Sequence, residues 1–300
     1  MAVASVALTN VQALTAEVDF DAVTDAELDV LERKIAGPFT KIFPWGSVLW
    51  GFSNCFVWLA LWPLVFLGDL SLWIAFPIAT LNVALSYLPS HEAQHGIVAR
   101  EGHKLRWLNE TLGWVSLIPL WQSFRVLRHT HLEHHRHTND PARDPDYEVH
   151  AEDAFDFFKK RIGSNATSAY ADTLIRIGRE DVLKDALAYE LVYLGVLFGL
   201  AWTGYALEVA LLWWLPRHVA LIWIQFYLAW MPHHPGTSTN RYGDTRAFRS
   251  LLGNLWSGGM QYHIVHHLYP TIPLMQTPAA YRALKPILER KGCELGGLEG

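Results

Sequence analysis

Three hundred residues with 51% hydrophobic, 13% aromatic and 18% charged side chains make a chain long enough for a large core yet short of charge. A net charge of −5 offers no basic footprint for nucleic acid, and 21 glycines and 15 prolines exclude a low-complexity or fibrous chain. The two cysteines, Cys55 and Cys293, lie far apart and supply neither a disulfide framework nor a cysteine metal site, whereas histidine occurs 15 times.

The opening MAVASVALTN is apolar but lacks a basic region before it, so no cleaved signal peptide is expected. Thr24-Asp-Ala-Glu27 is a capping-box pattern, opening a helix with Leu28, Leu31 and Ile35 on one side and Gly37 as its stop. Residues 1–44 are read as a cytoplasmic N-terminal arm with an interfacial helix. Between Gly46 and Pro89 the one permanently charged side chain is Asp69, flanked by apolar runs of roughly 20 residues each, enough for a transmembrane hairpin. Leu112 to Trp121, broken by Pro119, is too short to span and suits a helix in the interface or re-entering the membrane. Residues 150–188 carry Asp153, Asp156, Lys159, Lys160, Arg161, Arg179, Glu180 and Asp181 and read as cytoplasmic helices. From Leu191 to Met231 only Glu208, Arg217 and His218 interrupt a second apolar region, long enough for two more passes. Its turn falls near Gly204–Glu208 or near Pro216–His218. Trp45, Trp50, Trp213, Trp214 and Trp230 stand near span ends, where an aromatic belt places them.

The predicted fold is therefore an all-α integral membrane protein, with about four transmembrane helices in two hairpins and a histidine-rich cap. The membrane domain covers residues 45–290, and 291–300 form a tail. Basic residues set the orientation: three precede the first hairpin, 13 lie between residues 90 and 188, seven follow residue 233, and Arg217 alone remains for the far side. Both termini and the middle segment are expected in the cytoplasm. Asn109-Glu-Thr111 and Asn165-Ala-Thr167 match the glycosylation sequon but on this topology never meet the machinery.

The histidines cluster. His91 and His95 stand at i, i+4 directly after the second span, putting two imidazoles on one helix face. His131, His134 and His135 follow at i, i+3, i+4, and His263, His266 and His267 repeat that spacing. An even number of crossings separates the second cluster from the third, so all three meet on one side. Eight imidazoles exceed what one ion takes, which implies two metals. Imidazole suits Zn, Cu, Fe and Ni alike, so ligand type leaves the element open. Aliphatic substrates reaching a site beside the bilayer favour redox chemistry, because a Lewis acid does not break their C–H bonds. Asp140, Asp144 and Asp146 are candidate acceptors for imidazole N–H groups. His129 and His137 fall off the spacing, and His103, His150 and His218 read as surface or interfacial groups. A transition-metal transporter fits poorly, since the spans hold few ionisable groups and the clusters lie outside them.

The boxes His91-x-x-x-His95, His131-x-x-His134-His135 and His263-x-x-His266-His267, set between two pairs of spans, resemble the membrane fatty acid desaturase superfamily, which includes carotenoid ketolases and hydroxylases. The resemblance covers roughly residues 45–290. It implies a non-haem di-iron centre held by the boxes, dioxygen as co-substrate, two electrons per turnover, and a lipid substrate. It also implies a further histidine at the cytoplasmic end of the last span, where Trp230-Met-Pro-His233-His234 stands; His233 is favoured over His234. His131-Leu-Glu-His134-His135-Arg-His-Thr-Asn-Asp140 is similar to bacterial acyl desaturases, implying a bacterial inner membrane. Met231-Pro-His-His-Pro-Gly236 and His266-His-Leu-Tyr-Pro270 look like carotenoid ketolases. Glu92 replaces the Asp common in both groups, and the third box lacks the Gln of front-end desaturases. Fatty acyl desaturation is the leading reading, and carotenoid ring ketolation or hydroxylation the second. With no cysteine-rich iron–sulfur pattern and no dinucleotide fingerprint, a separate ferredoxin or cytochrome donor with its reductase is required.

Overall fold

The computed structural model describes residues 20, 22–162 and 168–298, and every element among them is helical. The N-terminal run MAVASVALTN and the sequon at residues 165–167 lie outside the described residues. Helix α1 (Asp25–Ala36) opens on the expected capping box: Glu27 N–H donates to Thr24 Oγ1 at 3.4 Å and Thr24 N–H to Glu27 Oε2 at 2.9 Å. It ends before Pro38, which has no N–H to extend the ladder, while Gly37 keeps right-handed dihedrals.

Two long apolar helices follow, α2 (Trp45–Phe66) and α3 (Leu72–Gln94), reversing through Gly68, at φ 82°, and Asp69. Two asparagines bridge the pair, as an apolar surround favours: Asn54 Nδ2 donates to Asn82 O at 2.8 Å and Asn82 Nδ2 to Asn54 Oδ1 at 2.9 Å. Their outer faces expose Leu49, Phe56, Trp73 and Leu81. Helix α4 (Arg106–Ser116) is packed against protein: Leu112, Leu117 and Leu120 have no exposure, and a side chain at Gly51 of α2 would meet Leu112, Pro89 and Ser116. The apolar stretch expected at the interface thus contributes its leucines to the core. Helices α5 (Phe124–His137), α6 (Ala154–Arg161) and α7 (Ser168–Arg176) then lead to α8 (Glu180–Leu200).

Helix α8 begins a third apolar segment, Glu180–His233, 54 residues long, which exposes Leu187, Leu191, Phe198 and Trp202. Gly204, at φ 105°, folds it back on itself, which decides between the two turn sites left open by the sequence. Residues on either side meet: Arg217 Nη2 lies 3.5 Å from Glu190 Oε2, and the Tyr193 and Trp213 rings are 5.0 Å apart. Pro216 sits in the first turn of α9 (Leu215–Ile224), where its missing N–H is tolerated. Two tryptophans expected in the aromatic belt are core residues. Trp213 is 3% exposed and donates to Pro119 O, and Trp230 is 7% exposed and donates to Ala151 O, both at 3.1 Å. A carbonyl partner for each indole N–H is what permits that burial.

At the histidine-bearing end, α10 (His263–Leu268) and α11 (Thr277–Arg290) build a second core with α1, in which Leu28 and Ile35 join Tyr281, Leu284 and Leu288. Glu32 of α1, 2% exposed, accepts hydrogen bonds from Tyr242 Oη at 2.9 Å and Tyr269 Oη at 2.8 Å and faces Arg241 at 3.4 Å. The apolar stripe of α1 is therefore taken by protein.

Candidate metal centre

Each histidine box rides on an element whose backbone aims it inward. The last turn of α3 carries His91 and ends at His95, α5 starts on the Ser123 cap and delivers His131, His134 and His135, and the six-residue α10 presents His263, His266 and His267. His233 closes the third apolar segment. All nine predicted histidines come together in two groups of four, with His135 between them. His91, His95, His131 and His266 form one group and His134, His233, His263 and His267 the other, the candidate ligand nitrogens of each lying within 4.8 Å of one another. In the first, His95 Nε2 lies 2.8 Å from His131 Nε2; in the second, His233 Nε2 lies 3.2 Å from both His134 Nε2 and His263 Nε2. His135 Nε2 lies 3.1 Å from His131 Nε2 and 3.0 Å from His266 Nε2, and its ring stacks on His267 at 4.1 Å.

Such convergence suits a cation. A ring nitrogen holds either one proton or one lone pair, so His131 Nε2 and His135 Nε2, each facing two other imidazole nitrogens, leave lone pairs pointing at lone pairs. His267 Nε2 is buried with no hydrogen-bond partner. Burial, reinforced by neighbouring imidazoles, holds His131, His135, His263, His266 and His267 well below the ordinary imidazole range, hence neutral and able to ligate. His134 differs. Burial opposes its charge, but the Asp144 carboxylate, 2.8 Å from Nδ1, raises it to about 9. That contact fixes the proton on Nδ1 and turns Nε2 toward the second group, the support that metal-ligating histidines generally have. His233 Nδ1 faces Asp244 O at 3.2 Å in the same way. The residues present thus fit a pair of metal ions.

Of the three candidate acceptors, Asp144 reaches an imidazole directly, Asp146 lies 3.8 Å from His134 Nδ1, and Asp140 instead pairs with Arg143. His234 is outside both groups, its ring 4.9 Å from Trp230. His129 faces Arg179 Nη1 at 2.7 Å and His137 lies 3.7 Å from Glu133, so neither joins the nest. His91, His131, His134 and His263 also line a cavity of about 840 Å³, whose walls include Leu120, Trp121, Tyr189, Trp214, Leu221 and Leu228. Leu120 and Trp121 follow α4, Tyr189 lies in α8, and Trp214, Leu221 and Leu228 recur every seven residues on the returning arm of the third segment, a spacing that places those three on one helix face and could have marked them. Glu92, the departure in the first box, is buried and accepts from the Leu274 backbone N–H, tying α3 to the segment after the third box.

A bundle of long apolar helices ending in a buried nest of imidazoles is the arrangement of a membrane protein with a candidate metal centre. The chain belongs to the fatty acid desaturase family, whose model matches residues 57–296. It is 25% identical to dihydrorhizobitoxine desaturase of Bradyrhizobium elkanii over 75% of this chain and 73% of that protein. It is 28% identical to a beta-carotene ketolase of Paracoccus sp. over 66% of this chain and 74% of the relative. Identity to zeaxanthin 4-ketolase of Chlamydomonas reinhardtii is 25%, over 64% of this chain and 40% of that longer protein. Family and relatives make the chain an oxidoreductase, and its three apolar segments make it an integral membrane protein.

Proposed function

We propose that the chain is an O2-dependent di-iron oxidoreductase acting on a C–H bond of a membrane lipid, with desaturation of a fatty acyl chain as its reaction. The observation that carries this reading is the convergence of nine imidazoles, four of which, His91, His131, His134 and His263, line a largely apolar cavity. His91, His95, His131 and His266 would hold one iron and His134, His233, His263 and His267 the other, with His135 between them. Iron held by these residues would supply oxygen-dependent C–H chemistry there, with electrons from a separate ferredoxin or cytochrome. The chain's own residues prepare that chemistry. Burial keeps His131, His135, His263, His266 and His267 deprotonated, Asp144 holds the His134 Nδ1 proton, and Leu120, Leu127, Leu221 and Leu228 line a path that excludes water from a chain lying against the nest. In this reading the folded-back third segment crosses twice, giving four spans with both termini and the histidines in the cytoplasm of a bacterial inner membrane.

Ketolation or hydroxylation of a carotenoid ring is the second reading, favoured by the names of several relatives. Mass spectrometry of lipids from a host making β-carotene as well as its own acyl chains separates the two. Acyl chains short of two hydrogens, absent with His135→Ala or His267→Ala, are the expected result. Carotenoids that gain oxygen while acyl chains stay unchanged would overturn the acyl reading.

A further inference from the structure

Besides the histidines, the cavity wall carries two guanidinium groups, Arg161 and Arg217, whose donors are used differently. Arg217 is engaged: Nε donates to Leu120 O at 3.1 Å, Nη2 lies 3.5 Å from Glu190 Oε2, and the group covers the Tyr193 ring at 4.8 Å. Those contacts hold the two arms of the folded-back segment together. Arg161, the last residue of α6, is 8% exposed. Its Nη2 donates to Glu148 O at 2.6 Å, while Nε and Nη1 are buried with no hydrogen-bond partner.

A guanidinium presents five donors and stays charged, so burying it with two nitrogens idle is costly until an acceptor arrives. The Glu148 carboxylate, also on the cavity wall, supports the charge through space without taking those two nitrogens. Much of the cavity lining is apolar, Val149, Leu174, Leu187 and Ile222 included. The group is also held in place. Phe157 and Phe158 of the same helix pack on Phe226 at 5.3 and 5.2 Å between ring centres, and Phe157 on Trp230 at 5.6 Å. A fixed, desolvated cation with idle donors on the wall of a lipid-sized cavity calls for an anion.

We propose that Arg161 is an anion site in the cavity wall that takes the carboxylate or phosphate head of an acyl lipid whose chain lies along the same cavity. It rests on the acyl reading and narrows it, because a carotenoid hydrocarbon has no anionic group to offer. The carboxylate of a free fatty acid and the phosphate of a lipid present the same chemistry to the guanidinium.

The test is competition binding on the full-length protein in nanodiscs of a zwitterionic phospholipid, with a fluorescent fatty acid displaced by palmitate, lysophosphatidate or uncharged methyl palmitate. Wild-type protein should prefer the anions to the ester by about tenfold or more. Arg161→Gln should lose that preference with its affinity for methyl palmitate unchanged, which also shows that the cavity is intact, and Arg161→Lys should keep part of it. Stronger competition by palmitate assigns a free carboxylate, and by lysophosphatidate a phosphate head. Equal competition by acid and ester in the wild type, or a preference that survives Arg161→Gln, overturns the site. Since binding is read without turnover, a protein that prefers anions yet desaturates no acyl chain counts against the acyl reading alone. One that desaturates but ignores head charge counts against the anion site alone.

Discussion

His134 shows how one residue outside the boxes, Asp144, shapes a candidate ligand. Among the nest histidines beyond the spans it is the one pushed up, to about 9, and the Asp144 carboxylate at 2.8 Å is what overcomes burial. Asp144 in turn accepts from the backbone N–H groups of Asn139 and Asp146 at 2.8 and 2.9 Å, so its position is set by the turn after α5. Asp144→Asn preserves the shape but offers an uncharged acceptor. Metal affinity, measured by competition with a chelator, should weaken by about 10- to 100-fold. An unchanged affinity would mean that the charge of Asp144 does not tune His134 toward a metal. His234, by contrast, packs on Trp230, and the site gives it no work.

Among the elements, α5 and α4 are locked by a close approach. Gly113 of α4 passes so near the ring of Phe124, the first residue of α5, that any Cβ there would overlap it. Because α5 carries the second box, moving Phe124 moves His131, His134 and His135 together. Gly113→Val should therefore cost about 1–3 kcal/mol from overpacking, seen as a lower melting temperature in detergent, and should lower metal content as well. A variant of lower stability with full metal content would show that the nest tolerates a shift of α5. Gly204 is the other demanding position, since at φ 105° a side chain would strain the reversal that brings Glu190 to Arg217.

Across the whole molecule, three sequence-distant boxes and a fourth segment share one buried nest, so occupancy and folding are linked. Metal bound to the folded state and not the unfolded one stabilises by mass action, about 2.7 kcal/mol at a free metal concentration 100 times Kd. Stripping the metal with a chelator should lower the melting temperature, and adding ferrous iron should restore it; insensitivity to both would argue against a resident metal. Topology is testable on the same scale. Trp202 beside the reversal is 91% exposed and Phe155 at the start of α6 is 79% exposed. In a background lacking Cys55 and Cys293, Trp202→Cys should react with a membrane-impermeant maleimide applied to intact spheroplasts. Phe155→Cys should react only after lysis, and the reverse pattern would invert the orientation.

Much of the molecule was written locally. The capping box of α1, the apolar length of α2 and α3, and the i, i+3, i+4 spacing of the boxes depend on neighbours within one or two helical turns, so residue order alone carries them. What needed the tertiary structure was every fact about which surfaces meet. A run of apolar residues marks a buried face but not whether lipid or protein covers it, which is why Trp213, Trp230 and the leucines of 112–120 turned out to lie in the core. The place where the third segment folds back, between two candidate turns, was decided by packing of Tyr193 on Trp213. The choice of His233, the exclusion of His129 and His137, and the idle donors of Arg161 rest on distances between segments far apart in the chain. Spacing along a helix fixes which side chains share a face, but only the packing of helices fixes what that face looks at.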